Sequence, residues 1–240
     1  MDATTGKRPF CHRLAVGVLF LVSVTLPVQA EDAIGDSEGL WEYAGLVTGD
    51  GTSLPLTGIF LIKDGMFLQQ SIFNEEPFAE AGSMAHAGPF WADDQGFGLI
   101  SEQTLSLDPK GAPVLRSAGE IEHSIDVTRA GDDLTIVFGS GTRQTLKRLG
   151  DAADTRLYKF EDGALAFANG YFVLVAGDEE RIVSGYGRYR AVGSDLTLEV
   201  IRWAESDGAS VINQRDIAMT AELTADALRL GDGRMFPIID

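Results

Sequence analysis

The sequence predicts an all-β protein built from antiparallel up-and-down β-barrels, two of them in tandem. Beyond residue 30, short alternating or apolar runs are separated by turns such as "KDG" (63–65) and "GSG" (139–141), which is the pattern of successive hairpins. No long stretch in this part of the chain keeps the apolar period of a helix. A third observation, an internal repeat, indicates that there are two barrels.

The repeat is clearest where "TGIFLIKDGMFLQQ" (57–70) aligns without a gap with "DGALAFANGYFVLV" (162–175). Gly58, Gly65 and Phe67 each meet an identical residue 105 positions later. Two further pairs of segments keep the same order, namely 86–92 with 185–191 and 134–146 with 227–238. This matched order predicts that the chain arose by internal duplication.

Each copy contains eight short predicted strands. In the first copy they lie near 40–48, 56–63, 66–73, 80–91, 97–106, 113–128, 133–138 and 142–148. In the second they lie near 156–160, 164–168, 171–176, 181–191, 195–203, 211–223, 226–230 and 234–239. Closure of eight strands removes exposed sheet edges and leaves an interior that is either filled by side chains or holds one small ligand.

The predicted domains are a signal peptide over 1–30, a first barrel over 31–149 and a second barrel-like repeat over 150–240. The signal peptide has a basic start, a short apolar run and "VQA" before the expected cleavage after Ala30. We therefore expect an exported protein, periplasmic or extracellular. An uncleaved anchor is the alternative, but no hydrophobic span follows residue 30, so we expect no integral membrane anchor in the mature protein.

The composition after residue 30 is acidic and free of cysteine. Removing the first thirty residues leaves a formal net charge of −19, which repels nucleic acid and anionic lipid. Without cysteine the exported protein has no disulfide and is held together by its core. We expect no nucleic-acid partner, and the composition leaves the oligomeric state open.

The start of the first copy, "GLWEYAGLV", carries Gly39, Leu40 and Trp41 as a G-x-W motif. In this it resembles the lipocalin-like proteins of the calycin group, which begin their first strand in this way. The resemblance implies that Trp41 plugs the closed end of the barrel and that an arginine of the last strand, Arg148, packs across it. The second copy lacks the motif. Tandem barrels of this kind occur in some bacterial hydratase-type proteins, so the resemblance also implies that an enzyme is an option.

Metal and cofactor sites are not predicted. The chain beyond residue 30 has two histidines, His86 and His123, at no ligand spacing, so zinc of the usual kinds is not expected. Nucleophile elbows, P-loops and dinucleotide fingerprints are missing from the sequence. We interpret His86 first as a structural strand residue, and we expect His123, beside two glutamates, on a solvated face.

A polar ligand site is one interpretation of "SGYGRYR" (184–190). Period two places Tyr186, Arg188 and Arg190 on one strand face, and the next strand could bring Glu199 opposite Arg188. If this face is inward, the arginines suit a carboxylate. If it is outward, the residues form an ordinary exposed ion pair.

The first copy has candidates for a mostly apolar lining. They are the aromatic residues Phe60, Phe67, Phe73, Phe90 and Trp91, with Gln69 and His86 as polar contacts. Sparse polar groups in an apolar wall are typical of a small-molecule pocket, and equally of a filled core.

Three functions follow from these patterns. The leading hypothesis is a protein that binds or carries a small, partly apolar ligand, with a carboxylate as one option. The alternatives are a barrel enzyme of isomerase or hydratase type, with His86, Tyr186 and Glu199 as acid–base candidates, and a structural module whose barrels are both filled.

Overall fold

The computed structural model describes residues 35, 37–93 and 96–239. The predicted signal peptide, residues 1–30, lies outside this range. Between residues 39 and 239 the described chain consists of strands and turns with one short 3-10 helix, Phe78–Glu80, so the all-β prediction is confirmed. No helix in the described part is both long and apolar enough to cross a bilayer.

The strands form two sheets. The first contains β1 (Gly39–Val47), β2 (Ser53–Leu54), β3 (Leu56–Lys63), β4 (Met66–Phe73), β5 (Ser83–Asp93), β6 (Gly96–Ser101), β7 (Gln103–Leu107), β8 (Leu115–Ser117), β9 (Ile121–Ala130), β10 (Asp133–Phe138) and β11 (Arg143–Gly150). The second contains β12 (Arg156–Phe160), β13 (Gly163–Ala168), β14 (Tyr171–Gly177), β15 (Ile182–Val192), β16 (Asp195–Ser206), β17 (Val211–Leu223), β18 (Ala227–Leu230) and β19 (Met235–Pro237).

The first sheet closes into an antiparallel barrel because β11 returns to pair with β1. Strand β5 pairs with β4 on one side and with β6 and β7 in succession on the other. Those two strands in turn pair with β9 and β8. The two-residue β2 lies off the main strand order, beside β1. Without it, and counting β6 with β7 as one interrupted strand and β8 with β9 as another, the barrel has the eight strands that the sequence predicts.

The second sheet is a plain meander in which each strand from β12 to β19 pairs with the next. Its ends meet in a single bridge, where the backbone N–H of Ile239 donates to the carbonyl of Lys159 at 2.9 Å. This barrel is therefore nearly closed, whereas the first is closed by a full strand ladder.

Matching hairpins support the internal duplication. The β3–β4 turn consists of Asp64 and Gly65, with φ of 50° and 77°. The β13–β14 turn consists of Asn169 and Gly170, with the same two angles. Two consecutive residues with positive φ define the two-residue hairpin turn that Asp-Gly and Asn-Gly favour. The two copies therefore share the backbone conformation of this turn as well as its sequence pattern.

The barrels pack side by side through an apolar layer that the sequence did not reveal. It is formed by outward-facing residues of β3, β4, β5 and β7 and of β13 to β16. Several of them are small, namely Ala85, Ala87, Ala164, Ala166 and Ala168. Small side chains let two sheets approach closely, and burial of this layer stabilises both barrels by the hydrophobic effect.

The short 3-10 helix reinforces this contact. Phe78 lies between the guanidinium groups of Arg202 and Arg215, 5.6 and 4.7 Å from its ring centre. Asn213 donates from Nδ2 to the carbonyl of Ala81 at 2.6 Å. The loop between β4 and β5 of the first barrel is thereby tied to β16 and β17 of the second.

Candidate functional site

One end of the first barrel is sealed by Trp41. Its side chain is fully buried and donates from Nε1 to the carbonyl of Ser37 at 3.0 Å. Arg148 stands opposite it in the β1–β11 register, with its guanidinium carbon 5.8 Å from the ring centre. Arg129 lies at 5.7 Å from the same ring. These are the positions that the G-x-W resemblance implied for Trp41 and Arg148.

The other part of the same barrel is hollow. A cavity of about 490 Å³ extends to the β1–β2 and β10–β11 turns, at the end away from Trp41. Its wall contains Leu46, Thr48, Leu54, Phe60, Phe67, Gln69, Phe73, Met84, His86, Leu99, Ser101, Glu122, His123, Ser124, Phe138, Gly139, Ser140, Thr142 and Gln144. This volume lies within the range of small-molecule sites, about 300–1,000 Å³.

Most of the predicted aromatic lining lies in this wall. Phe60, Phe67 and Phe73 line the cavity, and Phe90 packs in the apolar core of the same barrel. Trp91 does not line it, because it follows Phe90 on the opposite face of β5. Its indole covers Gly98, where an added Cβ would lie 2.4 Å from the ring.

Gln69 and His86, the two predicted polar contacts, are brought together in the wall. They are direct partners in the β4–β5 register, and His86 is the partner of Thr104 across the next ladder. Gln69 is almost fully buried and donates from Nε2 to the hydroxyl of Ser71 at 3.1 Å. Gln69, His86 and Thr104, on three neighbouring strands, form what we call the polar rung.

His86 is neutral under ordinary conditions. Burial, aided by repulsion from His123, lowers its pKa from 6.5 to about 4.

The expectation of a solvated face for His123 was wrong, because this side chain lines the cavity. Its ring meets that of Phe138 edge-on at 5.5 Å, and burial lowers the pKa of His123 as well. The alternation of Ile121, His123 and Ile125 along β9 was the sequence signal for this orientation.

Two buried hydroxyl groups at this site were not predicted. Ser101 lines the cavity and is 1 % exposed, and its Oγ has no hydrogen-bond partner in the described chain. Oγ1 of Thr104, the register partner of His86, is likewise buried and unpartnered there, but Thr104 is not one of the residues that line the cavity. By contrast, Gln144 in the same wall accepts a hydrogen bond from Tyr43 at 3.2 Å. The cavity therefore has both engaged and unengaged polar groups.

The arginine cluster of the second barrel lies outside, so the prediction of an inward-facing site was wrong. Arg188 does pair with Glu199 in the strand register, as the sequence suggested, but both side chains face away from the interior. Arg190 and Glu199 form an ion pair at 2.8 Å with side chains 79 % and 47 % exposed. Arg188 lies over the ring of Tyr171 at 4.7 Å.

Tyr186 is on this outer face too, buried in the layer between the barrels, where burial raises the pKa of its hydroxyl. These side chains point outward because the ring of Trp203 already occupies the space on the inner face. Gly185 points inward, and the ring of Trp203 lies directly against it, 2.3 Å from where a Cβ would be. A register shift between Tyr186 and Gly187 turns Trp203 to the inner face, opposite to Glu199.

The middle of the second barrel, around Trp203, is filled, whereas clefts lie at its rim beside Val183 and Phe160. Its apolar cluster contains Phe160, Leu165, Phe167, Phe172, Leu174, Ala176, Val183, Leu196, Leu198, Val200, Trp203, Ala221, Leu228 and Leu230. Glu205 accepts hydrogen bonds from Nε1 of Trp203 at 2.9 Å and from Arg234 at 2.6 Å. Arg234 also forms an ion pair with Asp232, so its guanidinium group is held by two carboxylates of the same barrel.

The candidate acid–base residues are not brought together. His86 lies in the first cavity, Tyr186 lies between the barrels, and Glu199 is on the outer face of the second barrel. In the described chain no group of three or more His, Cys, Asp or Glu side chains is arranged to hold a metal ion. The arrangement that remains is the cavity of the first barrel, with a few polar groups in an apolar wall.

Comparison with protein families, curated proteins and solved structures found no match to this chain. The assignment to antiparallel β-barrels therefore depends on strand order and register, and the lipocalin-like character remains a resemblance carried by Trp41 and Arg148.

Proposed function

We propose that the first barrel binds a small, partly apolar molecule in its cavity and that the second barrel supports it. The observation that carries this is a hollow of about 490 Å³ whose wall contains Gln69, His86 and the unpartnered hydroxyl of Ser101. Protein interiors are normally packed as densely as organic crystals, with few voids larger than a water molecule. A small molecule bound between these strands would account for the hollow.

The supporting role of the second barrel follows from its packed middle, around Trp203, and from the layer between the barrels. The outer faces of β3, β4 and β5, which form one wall of the hollow barrel, are covered by β13 to β16. A hollow barrel lacks part of the packing that would hold its wall in place. Attachment to a densely packed neighbour supplies rigidity to that wall from outside.

Export is part of the proposal. Its support is the signal-peptide pattern of residues 1–30, with cleavage after Ala30. Intact mass measurement of the protein recovered from its native cells is the test. A mass that begins at Glu31 is the expected result, and a retained N-terminal segment would contradict it.

The binding proposal can be tested by filling the hollow with residues taken from the other barrel. In the same register, the second barrel has Leu174, Gly185 and Trp203 where the first has the polar rung. A variant carrying Gln69→Leu, His86→Gly and Thr104→Trp should place an indole in the cavity. We expect the unaltered protein to bind Nile red, an uncharged apolar dye, as measured by fluorescence, and this variant to lose that binding.

The matched control is Thr197→Trp, which adds an indole on the exposed outer face of β16. It should bind the dye like the unaltered protein. Equal dye binding by the rung variant and the control, with circular dichroism showing that both are folded, would exclude the cavity as the binding site.

A further inference from the structure

We infer that the ligand of the first barrel is an uncharged amphipathic molecule whose hydroxyl or carbonyl group lies against Ser101 and His86. This inference rests on the proposed function, because it names the class of molecule that the same cavity accepts. It selects among the options that the sequence left open, one of which was a carboxylate.

The first step is the chemistry of the buried polar groups. Ser101 and Thr104 each present a hydroxyl that can donate one hydrogen bond and accept others, and neither has a partner in the described chain. Leaving such a group buried and unpaired costs about 1–3 kcal/mol. A ligand hydroxyl or carbonyl in the cavity can reach Ser101, which lines it, and recover that loss, whereas a pure hydrocarbon cannot.

The second step is charge. Among the described residues that line the cavity, Glu122 is the one with a charged side chain, and no lysine or arginine is present. His86 is uncharged near neutral pH, since its pKa is about 4. A buried carboxylate would thus have no cation beside it, and burial of an unpaired charge is strongly unfavourable. Glu122 is exposed, so a buried ammonium group beside Ser101 and His86 would have hydrogen-bond acceptors but no opposite charge to pair with.

The third step is the apolar remainder of the wall. Phe60, Phe67 and Leu99 are almost fully buried and line the same space as Ser101. They offer a chain or ring system the apolar surroundings that stabilise it by about 25 cal/mol for each Å² removed from water. A polar head with an apolar tail therefore matches both parts of the cavity.

The test compares three ligands with the same apolar chain and different heads. Octanol, octanoate and octylamine are titrated into the purified protein near neutral pH by isothermal titration calorimetry. We expect octanol to bind at least about tenfold more tightly than either charged compound, a ratio equivalent to about 1.4 kcal/mol. Octanoate or octylamine binding as tightly as octanol would overturn the inference and leave the proposed function standing. Failure of all three to bind, together with no Nile red binding, would instead remove the proposed function.

A pair of serine variants tests the contact itself. Ser101→Ala should weaken octanol binding by about three- to tenfold, the loss of one hydrogen bond, without changing the weaker affinity for octanoate. The ligand-free variant should unfold at the same temperature or higher, because the hydroxyl removed has no partner. Ser184→Ala, which removes a buried serine from the second barrel, should leave octanol binding unchanged. Unchanged octanol affinity in Ser101→Ala would overturn the assignment of the head group to this position.

Discussion

The two barrels have the same strand order, yet the first has a cavity at the level where the second is filled by Trp203. In the first, neighbouring strands place Gln69, His86 and Thr104 side by side on the inner face. At the corresponding register of the second, the residues are Leu174, Gly185 and Trp203. The comparison shows that a few inward positions, and not the topology, decide whether such a barrel has room for a ligand.

The glycine is essential to the filled arrangement. Trp203 is fully buried, and its ring occupies the space that any side chain on Gly185 would need. In the first barrel the strand position aligned with Gly185 is His86, whose ring extends into the interior, and Thr104 opposite it is too small to fill the remainder. A large side chain facing a glycine fills the space between strands, whereas two medium-sized polar ones leave it open.

The largest expected effect concerns the filled barrel. Trp203→Ala should lower the free energy of unfolding by about 3–5 kcal/mol, because it removes a buried indole and leaves a cavity that the closed sheet cannot collapse. Urea unfolding followed by circular dichroism measures this loss. Trp91→Ala is the matched control, since that indole lies on the outer face of the hollow barrel and is partly exposed. Equal losses in the two variants would show that the interior of the second barrel is not the better packed one.

Acid should lower the stability of the first barrel through protonation of His86. The folded-state pKa of His86, about 4, is below the ordinary value of 6.5, so between these values the unfolded chain binds more protons. Stability therefore falls as the pH drops through that window, by an amount on the order of 2–3 kcal/mol. His86→Gln keeps a neutral polar side chain and should lose this part of the pH dependence.

Urea midpoints of the two proteins at about pH 7 and about pH 4 give the measurement. Carboxylates contribute to the acid response of both, so the difference between the variant and the unaltered protein isolates the histidine. The second repeat contains no histidine, so substitutions there provide no comparable change. Parallel loss of stability by the two proteins would mean that His86 is solvated in the folded state.

The sequence predicted the strands well because the hairpin turns are local. Turns such as Asp64-Gly65 and Asn169-Gly170 need positive φ at both residues, which few other residue pairs adopt easily. Alternation between these turns then indicates the length of each strand. Strand closure was predictable for the same reason, since sixteen short strands in two repeats have few other ways to hide their edges.

Whether the arginines of the second barrel point inward or outward could not be predicted in this way. Alternation along the strand places Arg188 and Tyr189 on opposite faces but does not indicate which face is inside. Both faces carry bulky side chains, so side-chain size does not decide it either. The register shift beside Tyr186, which brings Trp203 inward, depends on contacts between strands and leaves no local signal. The apolar layer between the barrels was missed for a similar reason: alanines such as Ala164 and Ala166 fit an interior as well as an interface.

The smallest expected effect concerns the two barrel ends that arginines cover. In the first barrel Arg148 lies over Trp41, and in the second Arg156 lies 5.2 Å from the ring centre of Phe167 and donates to the hydroxyl of Tyr189 at 3.1 Å. Arg148→Met keeps the length of the side chain and removes the charge. It should lower the free energy of unfolding by about 0.5–1 kcal/mol, the value of one cation–π contact.

Arg156→Met is the paired variant in the other barrel, and its effect should be smaller because Arg156 is exposed and its interactions are weakened by solvent. Urea unfolding of the two single variants and the double variant completes the measurement. Additive losses are expected, since the two arginines contact different rings in different barrels. If Arg148→Met costs less than Arg156→Met, the arginine over Trp41 does not hold the closed end of the hollow barrel, and the G-x-W resemblance loses its structural support.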